Sequence, residues 1–274
     1  METILVPTDF SDSADNAVDY AVKLAQRFDA RIILLNAFAV PYAMHEPLFQ
    51  QDLVPVFLDA SKQRLRETKN RIHKTFDNRI RVECVSDCCS VFESIATTAA
   101  EKDVDLIVMG IVGEAGNIKE RLIGSTSITV ARKLDIPTLI IPQTAKYEPI
   151  KKITFACDLE GTEDSDLIYV VRLFCKMFEA ELEIVNVGDP DAKVSSDKAL
   201  TYLFIEDKLE NMKHKIYHVN GEDPAEDLEN YFKNYPTDLV ALSPKKHGLF
   251  YNLFHHSITN NLAFHLKTPI LAIH

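Results

Sequence analysis

The chain repeats itself. A hydrophobic run that ends in aspartate occurs at residues 4–9 and again at 153–158. A second run, 30–36, has a counterpart at 180–186, again about 150 residues later. Because the two matches keep one register, they predict that the 274 residues form two copies of one fold rather than a single large domain.

Fewer residues separate the corresponding later segments of the two copies than the earlier ones. The second copy is therefore shorter by about 17 residues. We expect the loss to fall between the second and third strands, where the first copy carries the long stretch 42–76. Between the copies, residues 143–149 form a polar segment that ends in proline, which is typical of a linker. The predicted domains are therefore 1–143 and 150–274.

Short runs rich in Ile, Val and Leu alternate with helical patterns in each copy. This alternation predicts an α/β fold of two tandem Rossmann-like domains, each an open five-stranded parallel sheet flanked by helices. In the first copy we expect strands near residues 3–8, 31–38, 80–86, 104–110 and 137–141. The first helix should follow Asp9, with Ser11 or Asp12 as its cap, and a later helix should run from about Pro55 onward.

Composition excludes several classes of protein. The 41 acidic and 30 basic residues give a net charge of −11, which argues against general nucleic-acid binding and requires any anionic ligand to be held locally. No apolar run approaches the ~18 residues that a membrane helix needs, so we expect no membrane association and a cytoplasmic location. The five cysteines include no C-x-x-C pair and predict reduced thiols.

A glycine-rich segment follows the fourth strand. Residues 109–113 read Met-Gly-Ile-Val-Gly, and after ten more residues 124–127 read Gly-Ser-Thr-Ser at the start of an amphipathic helical pattern. Glycines let the backbone approach an anion, and the amides and hydroxyls of a helix start donate hydrogen bonds without net positive charge. The segment is neither a Walker loop nor a G-x-G-x-x-G motif, because the spacings differ.

In open parallel sheets, ligands bind beyond the carboxyl ends of the strands where the strand order reverses. The ends of the first and fourth strands are therefore the expected place for a site, and Asp9 lies at the first of these ends. Structural roles compete with this interpretation. Asp9 could simply cap the first helix, the serines and threonine of 125–127 could be ordinary caps, and Gly110 and Gly113 could be turn residues.

Three segments in order resemble the universal stress protein family. They are residues 6–11 (Val-Pro-Thr-Asp-Phe-Ser), the glycine segment 110–125, and the closing run 136–142. The duplication is similar to that of the tandem members of this family. One departure is visible, since residues 114–123 make the spacing between the second and third glycines one residue longer than is usual there.

The resemblance implies an ATP-type nucleotide, ATP or ADP, with Mg²⁺ accompanying the phosphates. Asp9 would accept from the adenine amino group, Ala37 would offer backbone atoms, and the residues beyond Gly110 would hold the phosphates. Pro7 and Thr8 would line the base pocket, with Met109 and Gly110 against adenine and ribose. The site residues implied by the resemblance are Pro7, Thr8, Asp9, Ala37, Met109, Gly110, Gly113, Gly124, Ser125, Thr126 and Ser127.

The second copy departs from this pattern. Its corresponding loop begins with residues 243–248 (Ser-Pro-Lys-Lys-His-Gly), and His256-Ser257 stands in place of Gly-Ser. Side chains at these positions would crowd the approach of a phosphate, although Asp158 is retained. We expect this half to bind nucleotide weakly or not at all.

The leading hypothesis is a nucleotide-binding regulatory or stress-response module, because no nucleophile paired with a base is evident. The alternatives are a nucleotide-free interaction scaffold and a slow ATPase. The last strand of each half, at 138–141 and 270–273, is short and apolar, as suits pairing at a sheet edge. Such pairing predicts a pseudo-dimer of the two halves and allows a homodimer.

Overall fold

The structure is a computed structural model. It describes residues 1–39, 47–111, 125–157, 163–187, 203, 205–210, 212–219, 224–244 and 268–274. The chain divides into two compact units, and the main change from one to the other falls between Tyr147 and Glu148. Ten strands lie in the described residues, and each unit contains five of them.

The first unit alternates strands and helices along the chain. Its elements are β1 (Thr3–Pro7), α1 (Asp12–Phe28), β2 (Arg31–Ala37), α2 (Pro47–Thr75), β3 (Val82–Asp87), α3 (Val91–Glu101), β4 (Leu106–Ile111), α4 (Ser125–Lys133) and β5 (Thr138–Pro142). The strands lie in the order β3-β2-β1-β4-β5 and all neighbours are parallel. All five predicted strands are confirmed, with ends that differ by no more than two residues.

The second unit has the same strand arrangement. Its elements are β6 (Lys152–Cys157), α5 (Glu163–Phe178), β7 (Glu181–Val187), β8 (His214–Val219), α6 (Pro224–Asn234), β9 (Leu239–Leu242) and β10 (Ile270–Ala272). Its parallel order β10-β9-β6-β7-β8 places β6 where β1 stands in the first unit. The predicted α/β fold with one parallel five-stranded sheet in each copy is therefore confirmed.

Helix α1 follows β1 after a short turn. The hydroxyl oxygen of Ser11 accepts a hydrogen bond from the Ala14 amide at 3.3 Å, so Ser11 is the N-cap. Small and branched apolar residues on one side of the helix are fully buried against the sheet, among them Ala17, Val18 and Ala21. The helix stops at Asp29, which takes the left-handed conformation with φ of 50°.

Helix α2 is longer than its sequence pattern predicts. It begins at Pro47, eight residues before the predicted start near Pro55, and runs for 29 residues. Pro55 thus lies inside the helix, where it removes one backbone hydrogen bond without ending the element. The prediction was wrong because a proline is more often found in the first turn than inside a helix.

Neither this helix nor any other in the described part of the chain is both long and apolar enough to cross a bilayer.

The first turn of α1 packs directly on β4. At this contact β4 carries Gly110, and a Cβ added there would lie 2.6 Å from the carbonyl carbon of Ser13 and closer still to its oxygen. These are backbone atoms of α1, so no side-chain rotation could relieve the clash. Glycine is therefore required at this position by helix–strand packing.

We expect Gly110→Ala to lower the free energy of unfolding by about 1–3 kcal/mol or more, because α1 must move away from the sheet. Urea denaturation followed by circular dichroism would measure the loss. The exposed substitution Ala100→Ser is a suitable control, with an expected change within about 0.5 kcal/mol. An unchanged midpoint for Gly110→Ala would contradict the close approach of α1 to β4.

Candidate ligand-binding crevice

A cavity of about 280 Å³ opens beyond the carboxyl ends of β1 and β4. These two strands are neighbours at the centre of the sheet, with β2 and β3 on one side and β5 on the other. The chain leaves β1 and β4 in opposite directions across the sheet, so this is the point where the strand order reverses. The volume is close to the lower end of the range for small-molecule sites.

The cavity brings most of the predicted site residues together. Those that line it are Pro7, Thr8, Asp9, Ala37, Met109, Gly110, Thr126 and Ser127. The other three cannot be placed in it. Gly113 and Gly124 lie outside the described residues, and Ser125 begins α4 without a described side chain.

Five further residues line the cavity and were not predicted as site residues. They are Ser11, Ser13, Ala14, Leu35 and Val91. Leu35 could have been found, because it precedes Ala37 by two positions on β2 and shares its face of the sheet. Ser13 carries no comparable signal, since its place in the cavity depends on how closely α1 approaches Gly110.

The side chain of Asp9 is held by Ser11. Its Oδ1 accepts hydrogen bonds from the Ser11 amide at 3.0 Å and from the Ser11 hydroxyl at 2.6 Å. Among the described residues, none donates a hydrogen bond to Oδ2. The alternative that Asp9 caps α1 is wrong, because Ser11 makes the capping contact.

A hydroxyl pair extends from Asp9 into the cavity. The Ser13 hydroxyl lies 3.1 Å from that of Ser11. Because the single proton of the Ser11 hydroxyl is directed at Asp9, Ser13 donates to Ser11. The polar groups of this wall are thus oriented towards the carboxylate, and they fix it in one position.

The backbone beyond β1 is also fixed by hydrogen bonds. The Thr8 amide donates to the Leu35 carbonyl at 2.8 Å, and the buried Asn36 side chain donates to the Thr8 carbonyl at 2.7 Å. The Thr8 hydroxyl accepts from the Phe10 amide at 3.0 Å. These contacts anchor the residues before and after Asp9 to the end of β2.

On the opposite wall, Ser127 joins α4 to β4. Its buried hydroxyl donates to the Gly110 carbonyl at 2.9 Å. The hydroxyl proton is therefore used inside the protein, and Ser127 can offer a ligand only its lone pairs or its backbone amide. Amides in the first turn of α4 have no partner within the helix, so they remain the natural anion donors of this wall.

Cys88 and Cys89 follow β3 and are both exposed. The negative charge of Asp87 is the main reason that the pKa of the Cys89 thiol is raised above its ordinary value. A raised pKa leaves less thiolate at neutral pH, so Cys89 is a poor nucleophile.

Neutralising Asp87 should make Cys89 more reactive. In Asp87→Asn we expect a lower thiol pKa and therefore a several-fold faster alkylation of Cys89 by iodoacetamide at pH 8. Peptide mass spectrometry would give the rate for each thiol. Asp103→Asn, before β4 at the other end of the sheet, is the control and should leave the rate unchanged. An equal rate in Asp87→Asn and the wild type would contradict this cause.

The predicted counterpart of this crevice in the second unit lies largely outside the described residues. Asp158 and residues 245–267, which contain its degenerate loop, lie outside the described residues. The expectation that this half binds nucleotide weakly or not at all stays a prediction.

Comparisons with known proteins agree on one family. The profile of the Universal stress protein family matches residues 1–142. Universal stress protein YxiE of Bacillus subtilis is 30% identical over 144 residues, which cover 50% of this chain and 97% of YxiE. Universal stress protein Rv1636 of Mycobacterium tuberculosis is 27% identical over 154 residues, which cover 52% of this chain and 97% of Rv1636.

A solved structure resembles the whole chain. The crystal structure of a universal stress protein from Archaeoglobus fulgidus superposes with a TM-score of 0.69 over 99% of this chain and 97% of that one. The identity is 13%, so this likeness concerns the fold alone. The family profile matches more than half of the chain, residues 1–142 of 274. The chain therefore belongs to the universal stress protein family.

Proposed function

We propose that the first unit binds an adenine nucleotide, ATP or ADP, in the crevice between β1 and β4, and that the chain acts as a nucleotide-dependent regulatory or stress-response module. One observation carries the proposal. Eight of the residues expected to contact the nucleotide line a single cavity at the reversal point of the sheet.

The end of the crevice beside Asp9 suits the base. The Oδ2 of Asp9, to which no described residue donates, can accept from the adenine amino group, while Oδ1 stays with Ser11. The Leu35 carbonyl faces β1, where it accepts from the Thr8 amide, and alternate residues of a strand direct their backbone groups to the same side. The backbone of Ala37 is therefore directed past the end of β1, where it can bond to the ring edge.

The other end of the crevice suits the phosphates. The amides in the first turn of α4 can donate to an anion, and the positive end of the helix dipole favours negative charge there. Gly113, Gly124 and Ser125 complete this end in the proposal. Among the described residues, no three His, Cys, Asp or Glu side chains form a group that could hold a metal ion. We propose that Mg²⁺ enters with the phosphates, because it shields phosphate charge that this acidic chain cannot neutralise.

Calorimetric titration with Mg²⁺-ATP tests this proposal. We expect Asp9→Asn to weaken binding by about tenfold to a hundredfold, because an amide group faces the adenine amino group in place of a charged acceptor. Asp12→Asn is the matched control, since it removes the same charge from an exposed position three residues later and should change affinity by less than about twofold.

Two further variants separate the halves of the chain. Gly113→Val should weaken ATP binding strongly, whereas Asp158→Ala in the second copy should change it little. Equal affinities for wild type, Asp9→Asn and Gly113→Val would rule out the proposed site. A wild-type chain that ignores ATP at millimolar concentration would favour the nucleotide-free scaffold.

A further inference from the structure

An open groove in the second unit lies between the strand β8 and the helix α6. Its volume is about 350 Å³, which is within the range of small-molecule sites. Among the described residues, β8 pairs only with β7, so it forms the edge of the sheet on this side. The groove shares no residue with the crevice of the first unit, and an inference about it is therefore independent of nucleotide binding.

A cluster of three tyrosines lines the groove. Tyr217 lies on β8, Tyr231 lies in the last turn of α6, and Tyr235 directly follows that helix. The ring centres of Tyr217 and Tyr231 are 5.8 Å apart, those of Tyr217 and Tyr235 are 6.0 Å apart, and those of Tyr231 and Tyr235 are 4.9 Å apart. Because all three distances are short, one small group above the cluster can lie within about 6 Å of every ring centre, which is the range of a cation–π contact.

A carboxylate lies beside the tyrosine cluster. Asp227, Tyr231 and Tyr235 follow one another at intervals of four residues, and all three line the groove. The Tyr235 amide donates to the Tyr231 carbonyl at 2.8 Å, so the helical spacing continues as far as Tyr235. Residues four apart lie on the same side of a helix, which places Asp227 one turn before Tyr231. The negative charge of Asp227 therefore acts on any ligand that contacts these rings.

The other side chains of the groove carry no positive charge. None of the eight residues that line it is a lysine or an arginine. The amide nitrogen of Asn186 lies 3.3 Å from Nδ1 of His218, and because such a nitrogen can only donate, Nδ1 accepts and the imidazole is neutral. Burial and the charge of Glu183 raise the pKa of Tyr231 above its ordinary value, so this phenol is neutral as well. Among the residues that line the groove, Asp227 thus supplies the charge.

The tyrosine cluster combines a fixed ring with an accessible one. Tyr231 is buried, and its hydroxyl is directed at Glu183, whose carboxylate oxygen lies 3.5 Å away. Glu183 is itself buried and forms an ion pair with Lys152 at 3.2 Å. Tyr235, by contrast, is 51% exposed, so a ligand from solvent can reach its ring. The cluster therefore needs little rearrangement to receive a ligand.

We propose that this groove binds a small organic cation and that its ammonium group lies against the tyrosine cluster near Asp227. The faces of tyrosine rings carry negative potential, which attracts a cation. A methylated ammonium group suits the groove best, because its methyl groups contact the rings while its charge is attracted by the carboxylate. The groove suits a metal ion less well, since no three His, Cys, Asp or Glu side chains of the described residues form a ligand group. The charge of Asp227 disfavours an anion.

Choline and its neutral analogue dimethylbutanol test whether the groove requires a positive charge. The two molecules have the same shape, but a carbon atom replaces the charged nitrogen in the alcohol. In calorimetric titrations of the full chain, we expect choline to bind at least about tenfold more tightly than the alcohol. The affinity for choline should also fall as salt is added, because salt screens the attraction of Asp227.

Variants at Tyr235 test the role of its ring. Tyr235→Leu should weaken choline binding about fivefold or more, whereas Tyr235→Phe keeps the ring and should stay within about twofold of the wild type. Tyr169→Leu is the matched control, because it removes a similarly exposed ring, at 55%, from α5 outside the groove. It should leave the affinity for choline unchanged. Tyr235 is exposed, so these changes should leave the fold intact, and circular dichroism would verify this.

A second pair of variants tests the carboxylate. Asp227→Asn should weaken choline binding several-fold and make its dependence on salt concentration shallower, because one attractive charge is lost. Asp207→Asn removes the same charge from an exposed position of the second unit outside the groove. This control should change neither the affinity nor the salt dependence.

Other outcomes would overturn the proposal. Equal affinities of the wild type for choline and dimethylbutanol would show a site for neutral apolar groups. Wild-type protein that does not bind choline at millimolar concentrations would exclude an ammonium site in this groove. Choline affinity that is equal in Tyr235→Leu and Tyr169→Leu would place the bound cation elsewhere on the chain, and equal effects of Asp227→Asn and Asp207→Asn would show a general charge effect.

Discussion

The contact between α1 and β4 at Gly110 determines the shape of the crevice. The Ser13 carbonyl occupies the space that a side chain at this position would need. The first turn of α1 therefore reaches the strand, and it carries Ser11 and Ser13 to the wall of the cavity. On the other side, the Gly110 carbonyl accepts from Ser127 and fixes α4. One glycine thus helps to position α1 and α4, two of the helices whose starts border the crevice.

The repeat in the sequence predicts much of this fold. Two copies with alternating strand and helix patterns indicate a parallel sheet in each, and the order of strands in such a sheet places the ends of β1 and β4 together. The expectation for Ala37, the last residue of β2, came only from the family resemblance. Topology alone places Asp9, beyond the end of β1, and Thr126, in the first turn of α4, at this edge of the sheet. Local chemistry and topology were sufficient for these residues.

Other features depend on packing distances that no pattern in the sequence encodes. Ser13 lines the cavity only because α1 lies so close to β4. Phe10 takes a left-handed conformation that a bulky residue rarely adopts, and Arg64 meets it from a helix that begins earlier than its proline suggests. The Ser127 hydroxyl was expected to donate to a phosphate, but it donates to the Gly110 carbonyl. In each case the tertiary contacts of the residue determine its position, and the local sequence pattern does not.

The same constraint offers a reason for the difference between the two copies. Ser243 occupies the position in the second copy that corresponds to Gly110. A side chain there excludes an approach of helix to strand as close as that in the first unit. The second half also lacks glycine at the positions that correspond to Gly113 and Gly124, so both walls of a crevice would differ. We therefore expect that the first half of the chain binds nucleotide and that the second half has another role.

We propose that one crevice, in the first unit, binds adenine nucleotide with the base beside Asp9. A crystal structure of the chain grown with Mg²⁺-ATP would locate the nucleotide. Density for the adenine ring is expected against Asp9 and Ala37, with the phosphates at the start of α4. Nucleotide bound elsewhere on the chain, or in the second unit with the first crevice empty, would contradict it.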